Sequence, residues 1–192
     1  MSKYDLDSAW FRVADWCAYD LTKDGYEGVV LQPLGQFPAA ATTVVRAAAQ
    51  SDNYMHRKTA ASLAGWICKP ETSLLDDLFC AEVTRDTNPK TDDLRRLDTQ
   101  SVVEDIIFAA TRWAREQSLQ QSAFALLTSI VQRTIDGEYW NTSSYAMTTL
   151  VRHSADGAAD LLARFQSFAN GTPPQHPSRP SLTQERNFPR IF

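Results

Sequence analysis

The stretch Thr42–Ile67, TTVVRAAAQSDNYMHRKTAASLAGWI, constrains the fold more than any other part of the chain. Two short segments rich in helix formers flank the polar turn Ser51-Asp52-Asn53, whose side chains offer helix caps. The expected unit is a pair of helices folded back on each other. Further segments of the same kind follow it. This pattern implies stacked helical hairpins, a scaffold that works through surfaces rather than through a chemical pocket.

Helical spacing extends along most of the chain. Asp7 or Ser8 caps a first helix, on which Trp10, Val13, Ala14, Cys17, Ala18 and Leu21 form an apolar stripe. Val29–Leu34, VVLQPL, reads as an extended connector, with a short strand as the alternative. Pro38 then opens a helix over Pro38–Gln50. The next runs over Asn53–Cys68 and stops before Pro70. Another starts at Thr72 or Ser73, with Leu74, Leu75, Leu78, Phe79 and Val83 as its stripe. Asp92–Leu97 adds a helical turn, and a separate, strongly patterned helix covers Val102–Ala114. Three more follow, from Ser118 or Leu119 to Ile135, over Asn141–His153, and from Asp156 or Gly157 through Phe168. Asp136-Gly137 and Asn170-Gly171 are stop signals.

Residues 1–170 are thus expected to form one all-helical domain, and 171–192 an extended arm or tail. Five of the nine prolines lie in that last segment. Phe188, Ile191 and Phe192 favour an arm docked on the body over a disordered tail.

A hydrophobic content of 43% excludes global disorder. Seven glycines are too few for the evenly spread turns of a barrel or sandwich. The N-terminus lacks a basic leader followed by an apolar run, and no apolar stretch approaches the ~18 residues of a membrane span. The three cysteines, Cys17, Cys68 and Cys80, are odd in number. A reduced, cytoplasmic chain is the reading they imply, with Cys17 and Cys68 as small core residues. The net charge is −4, but Glu71–Asp105 carries ten acids and four bases, a local balance of −6. Non-specific nucleic-acid binding, which needs a basic stripe, is therefore not expected.

The helices over Pro38–Gln50 and Asn53–Cys68 resemble a HEAT repeat. Arg57, Ala60, Ala61 and Gly65 stand where the second helix of that family shows Arg, Ala, Ala and Gly, and Asp52 and Asn53 match its polar turn. His56 stands where the family prefers valine. Leu74–Val83 with Val102–Ala114 would be a second unit, interrupted by an acidic insertion, and Phe124–Ile135 with Tyr145–Val151 a third. The offset from Val44 to Leu74 is 30 residues and from Leu74 to Leu126 it is 52, so the repeat is degenerate. The resemblance implies an all-α fold, a right-handed stack of antiparallel helical hairpins (a HEAT-like α-solenoid), whose concave face binds something. An irregular helical bundle is the alternative.

Motifs of chemistry are missing. There is no G-x-G-x-x-G, Walker lysine loop, G-x-S-x-G, H-E-x-x-H or C-x-x-C. His56 is read as a helix-surface residue and His153 as a residue at a helix C-terminus, where it favours the dipole. Neither an enzyme nor a cofactor nor a metal is expected. The acidic doublets Asp76-Asp77, Asp92-Asp93 and Glu104-Asp105 are poor catalytic pairs, because neighbours on a helix diverge by about 100°. They read as a solvated face or as a patch that meets a basic partner. Trp113 reads as core. Trp66 faces outward in this reading, and Tyr139 and Trp140, beside a turn, serve as core caps or interface anchors.

The expected function is a protein–protein interaction module, specifically a small inhibitor or immunity-type protein. Its acids would neutralise a basic toxin or nuclease. The alternatives are an enzyme of the HEAT-like DNA glycosylase kind, which needs a basic groove, and a scaffold or adaptor subunit.

Overall fold

The computed structural model describes residues 26–86, 93–134, 140–153 and 155–169. The expected first helix with Cys17, the break containing Asp92, the Asp136-Gly137 stop with Tyr139, and the arm over 171–192 lie outside the described residues. So do the side chains of Asp93 and Trp140. Among the described residues there are eight α-helices and no strand. They are α1 (Tyr26–Gly35), α2 (Pro38–Ala49), α3 (Tyr54–Ala64), α4 (Leu74–Asp86), α5 (Asp93–Trp113), α6 (Gln120–Thr134), α7 (Trp140–Arg152) and α8 (Ala158–Ala169). None of them is long and apolar enough to cross a membrane.

Local chemistry accounts for most of the boundaries. Pro38 opens α2, where its missing N–H costs nothing. Asn53 caps α3 by accepting the Met55 N–H at 3.0 Å. Three expectations need correction. Val29–Leu34 is neither connector nor strand, because it lies inside α1. Pro33 removes one donor near the end of that helix, and α1 stops two residues later. Leu31 is fully buried, so packing decides the conformation. Second, the turn over Asp92–Leu97 and the helix over Val102–Ala114 are not separate. They merge into the 21-residue α5, since no glycine or proline interrupts Asp93–Trp113. Third, α3 ends at Ala64, short of Cys68. Cys68 sits beyond the helix and is exposed, as is Cys80 on α4, so Cys68 is not a core residue.

Helix α5 is the hub, packing on α3, α4, α6 and α7. Its buried side, Val102, Val103, Ile106, Ile107, Ala110 and Trp113, joins a single apolar cluster with Leu63, Leu74, Leu75, Leu127, Ile130 and Leu150. Trp113 is core as expected, and its indole N–H donates to the Ala64 carbonyl at 3.2 Å. Small residues let α3 approach closely. A Cβ added at Gly65 would lie 2.8 Å from the Ala109 Cα of α5.

The register of the contacts gives direction. Lys58 meets Ser101, Ser62 meets Asp105, and Trp66 meets Arg112, so α3 and α5 run parallel. Phe108 meets Tyr145 and Thr111 meets Thr149, so α7 runs parallel to α5 on its other side. Helices α3, α5 and α7 therefore lie in order, side by side. Helix α2 pairs with α3, α4 with α5 and α6 with α7, each the preceding helix in the chain. Helix α8 packs on α7 and α6.

One buried ion pair ties three elements together. Arg57, 6% exposed, donates from Nε to Glu82 Oε1 at 2.7 Å, and Glu82 is 2% exposed. The same guanidinium donates to the Ser51 and Asp52 carbonyls at 2.9 and 3.0 Å, which closes the α2–α3 turn. Burial pushes the Glu82 carboxyl above its usual range, although Arg57 and Arg85 pull it back. Arg85 also donates to the Ala49 carbonyl at the end of α2, at 2.7 Å.

Candidate functional site

The parallel helices α3, α5 and α7 present one continuous face away from the core. On α5, Ser101, Glu104, Asp105, Phe108, Thr111 and Arg112 recur at three- and four-residue intervals, opposite the buried stripe. On α3 the matching positions are Lys58 and Ser62, with Trp66 two residues past the helix end, and on α7 they are Tyr145, Thr149 and Arg152.

Lys58, Ser62, Ser101 and Asp105 are paired with one another within the face. Lys58 lies 3.3 Å from Asp105 and donates to Ser101 at 3.1 Å, while Ser62 donates to the other Asp105 oxygen at 3.0 Å. The Arg112 guanidinium sits 3.6 Å over the Trp66 ring, a cation–π contact. The Trp66 indole N–H is buried and finds no acceptor among the described residues. Glu104 is half-buried and accepts a long bond from Gln100 at 3.4 Å. Partial burial raises its pKa, against the pull of Gln100 and Lys58.

The α7 side is apolar and open. Phe108 is 50% exposed and Tyr145 47% exposed, with ring centroids 5.7 Å apart in a tilted arrangement. Exposed aromatics that touch each other across two helices lower the entropy cost of contact, because each ring already limits the other.

The structure separates the sequence-predicted acidic residues. Asp76 and Asp77 are exposed in the first turn of α4. The Asp76 carboxyl is raised by desolvation and by Asp77 beside it. Arg46 of α2 reaches Glu71 at 2.6 Å and Asp77 at 3.7 Å. Glu104 and Asp105 belong instead to the α3–α5 neighbourhood, and Asp105 is only 6% exposed, so its carboxylate is an internal partner of Lys58 rather than open surface. The described acids of the run are thus not one field in space. Glu71, Asp77, Glu82 and Asp105 each face a base from α2 or α3, where Arg46, Arg57 and Lys58 lie.

His56 is half-buried and sits 3.2 Å from the Ser51 hydroxyl, at the α2–α3 turn. His153 follows α7 directly and lies tilted against the Phe124 ring, with centroids 5.8 Å apart. No group of three or more His, Cys, Asp and Glu among the described residues is placed to hold a metal ion. A groove of about 230 Å³ between α2 and α4, lined by Arg46, Ala49, Gln50, Leu74, Asp77 and Leu78, is below the size of ordinary small-molecule sites, ~300–1,000 Å³.

Phe108 and Tyr145 escape a reading of the sequence that follows only the apolar stripe. Phe108 lies inside the run IIFAA, where an aromatic reads as core. Its position off the line of Val102, Ile106, Ala110 and Trp113 was the available signal.

Comparison with protein-family models, with curated proteins and with solved structures finds no match.

Proposed function

We infer that this chain is a protein-binding module, not an enzyme, and that its contact surface is the α3–α5–α7 face. The observation that carries the reading is the exposed Phe108–Tyr145 pair at the centre of that face, beside polar groups that already satisfy one another. Aromatic anchors ringed by neutralised polar groups are the composition of an interaction hot spot. Paired side chains such as Lys58 and Asp105 cost a partner less to cover than unpaired charges would, because each keeps its counter-charge.

The order of the helices supports a HEAT-like stack as the scaffold. Three hairpins, α2–α3, α4–α5 and α6–α7, place their second helices parallel in one layer. The second helices begin at Tyr54, Asp93 and Trp140, intervals of 39 and 47 residues, close to the ≈ 40–47 of HEAT-type repeats. An inhibitor or immunity-type role is the narrower form of the same reading. Asp76 and Asp77 on α4, outside this face, are exposed and would give a basic partner a second contact, although Arg46 partly offsets Asp77.

The test separates binding from folding. Phe108→Ser and Tyr145→Ser remove exposed apolar area, so each is expected to leave the melting temperature within about 2 °C of the parent. Both are expected to weaken binding to the physiological partner by tenfold or more, on the order of 1.4 kcal/mol. Unchanged affinity in both variants would exclude this face.

A further inference from the structure

The connection between α7 and α8 is held on both sides of one peptide link and not at the link itself. Ala155 donates to the Leu150 carbonyl at 3.0 Å and accepts from the Ala158 N–H at 3.0 Å, and the Gly157 carbonyl accepts from the Leu161 N–H at 3.2 Å. Between these bonds stand the Asp156 carboxylate and the Gly157 N–H, and neither has a hydrogen-bond partner or ion pair among the described residues. Both residues are exposed, while Ala155 before them and Ala158 after them are buried. Gly157 has a φ of +75°, and a Cβ built there would meet nothing within 4 Å, so no neighbouring atom crowds the glycine.

An aspartate followed by glycine carries the means of its own rearrangement. The Gly157 nitrogen bonds to the Asp156 side-chain carbon and closes a five-membered succinimide, while the N–H hydrogen and the carboxyl O–H leave as water. Water then adds at one of the two ring carbonyls and breaks that carbon's bond to nitrogen. Addition at the side-chain carbonyl restores Asp156. Addition at the main-chain carbonyl leaves an isoaspartate, in which the chain runs through the side-chain carbon and a free α-carboxylate stands beside it. No oxidant or reductant enters, mass is unchanged, and the backbone gains one carbon. We propose that Asp156 is a site of this spontaneous isomerisation in the folded chain, and that the lengthened link loosens α8 from α7 and α6. Where hydrogen bonds hold the nitrogen and the carboxyl apart, the reaction waits on local opening. Here the bonds lie on either side of the reacting pair, so little has to open. The added carbon falls inside the turn closed by the Ala155–Ala158 bond, directly before α8, whose Ala158 and Leu161 are buried. Asp24-Gly25 and Asp136-Gly137 share the chemistry, and Asn170-Gly171 follows it with loss of ammonia, but these lie outside the described residues.

The test compares the full chain with a synthetic peptide of residues 153–164, the tryptic fragment that holds the site. Both are kept at physiological temperature and pH for several weeks. The isoaspartyl form of the fragment is separated by chromatography and identified by its resistance to endoproteinase Asp-N at position 156. The folded chain is expected to convert at no less than about one third of the peptide's rate, as for a link whose opening free energy is near zero. A slower rate would overturn the proposal, because the fold would then shield the site. Asp156→Glu, which needs a six-membered ring, should abolish conversion in this fragment, and Asp156→Asn should speed it and add the mass difference between amide and acid. Conversion that persists in the glutamate variant would overturn the assignment to Asp156. Amide hydrogen exchange over 158–169 is expected to be faster in the aged chain than in the Asp156→Glu chain aged beside it. Equal exchange in a chain that has converted would overturn the link to α8.

Discussion

Burying the Arg57 guanidinium requires a carboxylate within reach, and Glu82 supplies it from a helix 25 residues further on. The pair is costly in isolation, since burial alone pushes the Glu82 carboxyl upward. Breaking it is costlier, because Arg57 would stay buried without a counter-charge. Glu82→Gln is expected to destabilise by about 3–5 kcal/mol. That lowers the melting temperature by roughly 6–20 °C at 2–4 °C per kcal/mol. The double variant Arg57→Met/Glu82→Met is expected to recover about half or more of that loss, with the remainder set by the Ser51 and Asp52 carbonyls left without a donor. Two single losses that simply add, measured by thermal melts, would contradict the coupling. Arg57 is legible in the sequence as a family-like position, but Glu82 is not. It falls three residues after Phe79 and seven after Leu75, on the buried side of α4, yet a charge there reads as solvent-facing. Only the presence of Arg57 across the turn explains it, and pairing across 25 residues has no local signal.

Local capping chemistry made α2 and the start of α3 readable, while packing decided α1, α5 and the end of α3. Pro38 and Asn53 fix their helix starts through their own backbones and side chains. Pro33 misleads because a proline near a helix end costs little, and the fully buried Leu31 makes the helix worth forming. The end of α3 misleads differently. Periodicity continued to Cys68, but the helix stops at Ala64, and residues beyond it no longer inherit a face. Gly65 marks that stop and also sets the distance between α3 and α5. Gly65→Ala would place a methyl group 2.8 Å from the Ala109 Cα, a backbone atom that cannot rotate away. The expected cost is about 1–3 kcal/mol, as for overpacking elsewhere. The separation should also loosen the Arg112–Trp66 contact, so indole fluorescence should change in the folded state. A stability equal to or above the parent would show that α3 and α5 have room that the geometry denies.

Across the whole molecule, the layer α3–α5–α7 unites residues that are far apart in sequence, from Lys58 through Phe108 to Arg152. The all-helical class followed from 3.6-residue periodicity alone. The composition of the face did not, because it depends on which side of each hairpin is shared with the next. The acid-rich run over Glu71–Asp105 illustrates why. Charge counted along the chain predicts a field, but among the described residues bases on α2 and α3 fold against Glu71, Asp77, Glu82 and Asp105, while Asp76 stays exposed. The proposed contact face is the one containing Phe108 and Tyr145. Its most direct test is site-specific photo-cross-linking in the native host, with benzoylphenylalanine at position 108, 145 or 37. Phe37, between α1 and α2, is 68% exposed and serves as the control aromatic outside helices α3, α5 and α7. One discrete adduct is expected, the same from positions 108 and 145 and absent from 37. An adduct formed from position 37 in equal or greater yield, or none from 108 and 145, would contradict the account.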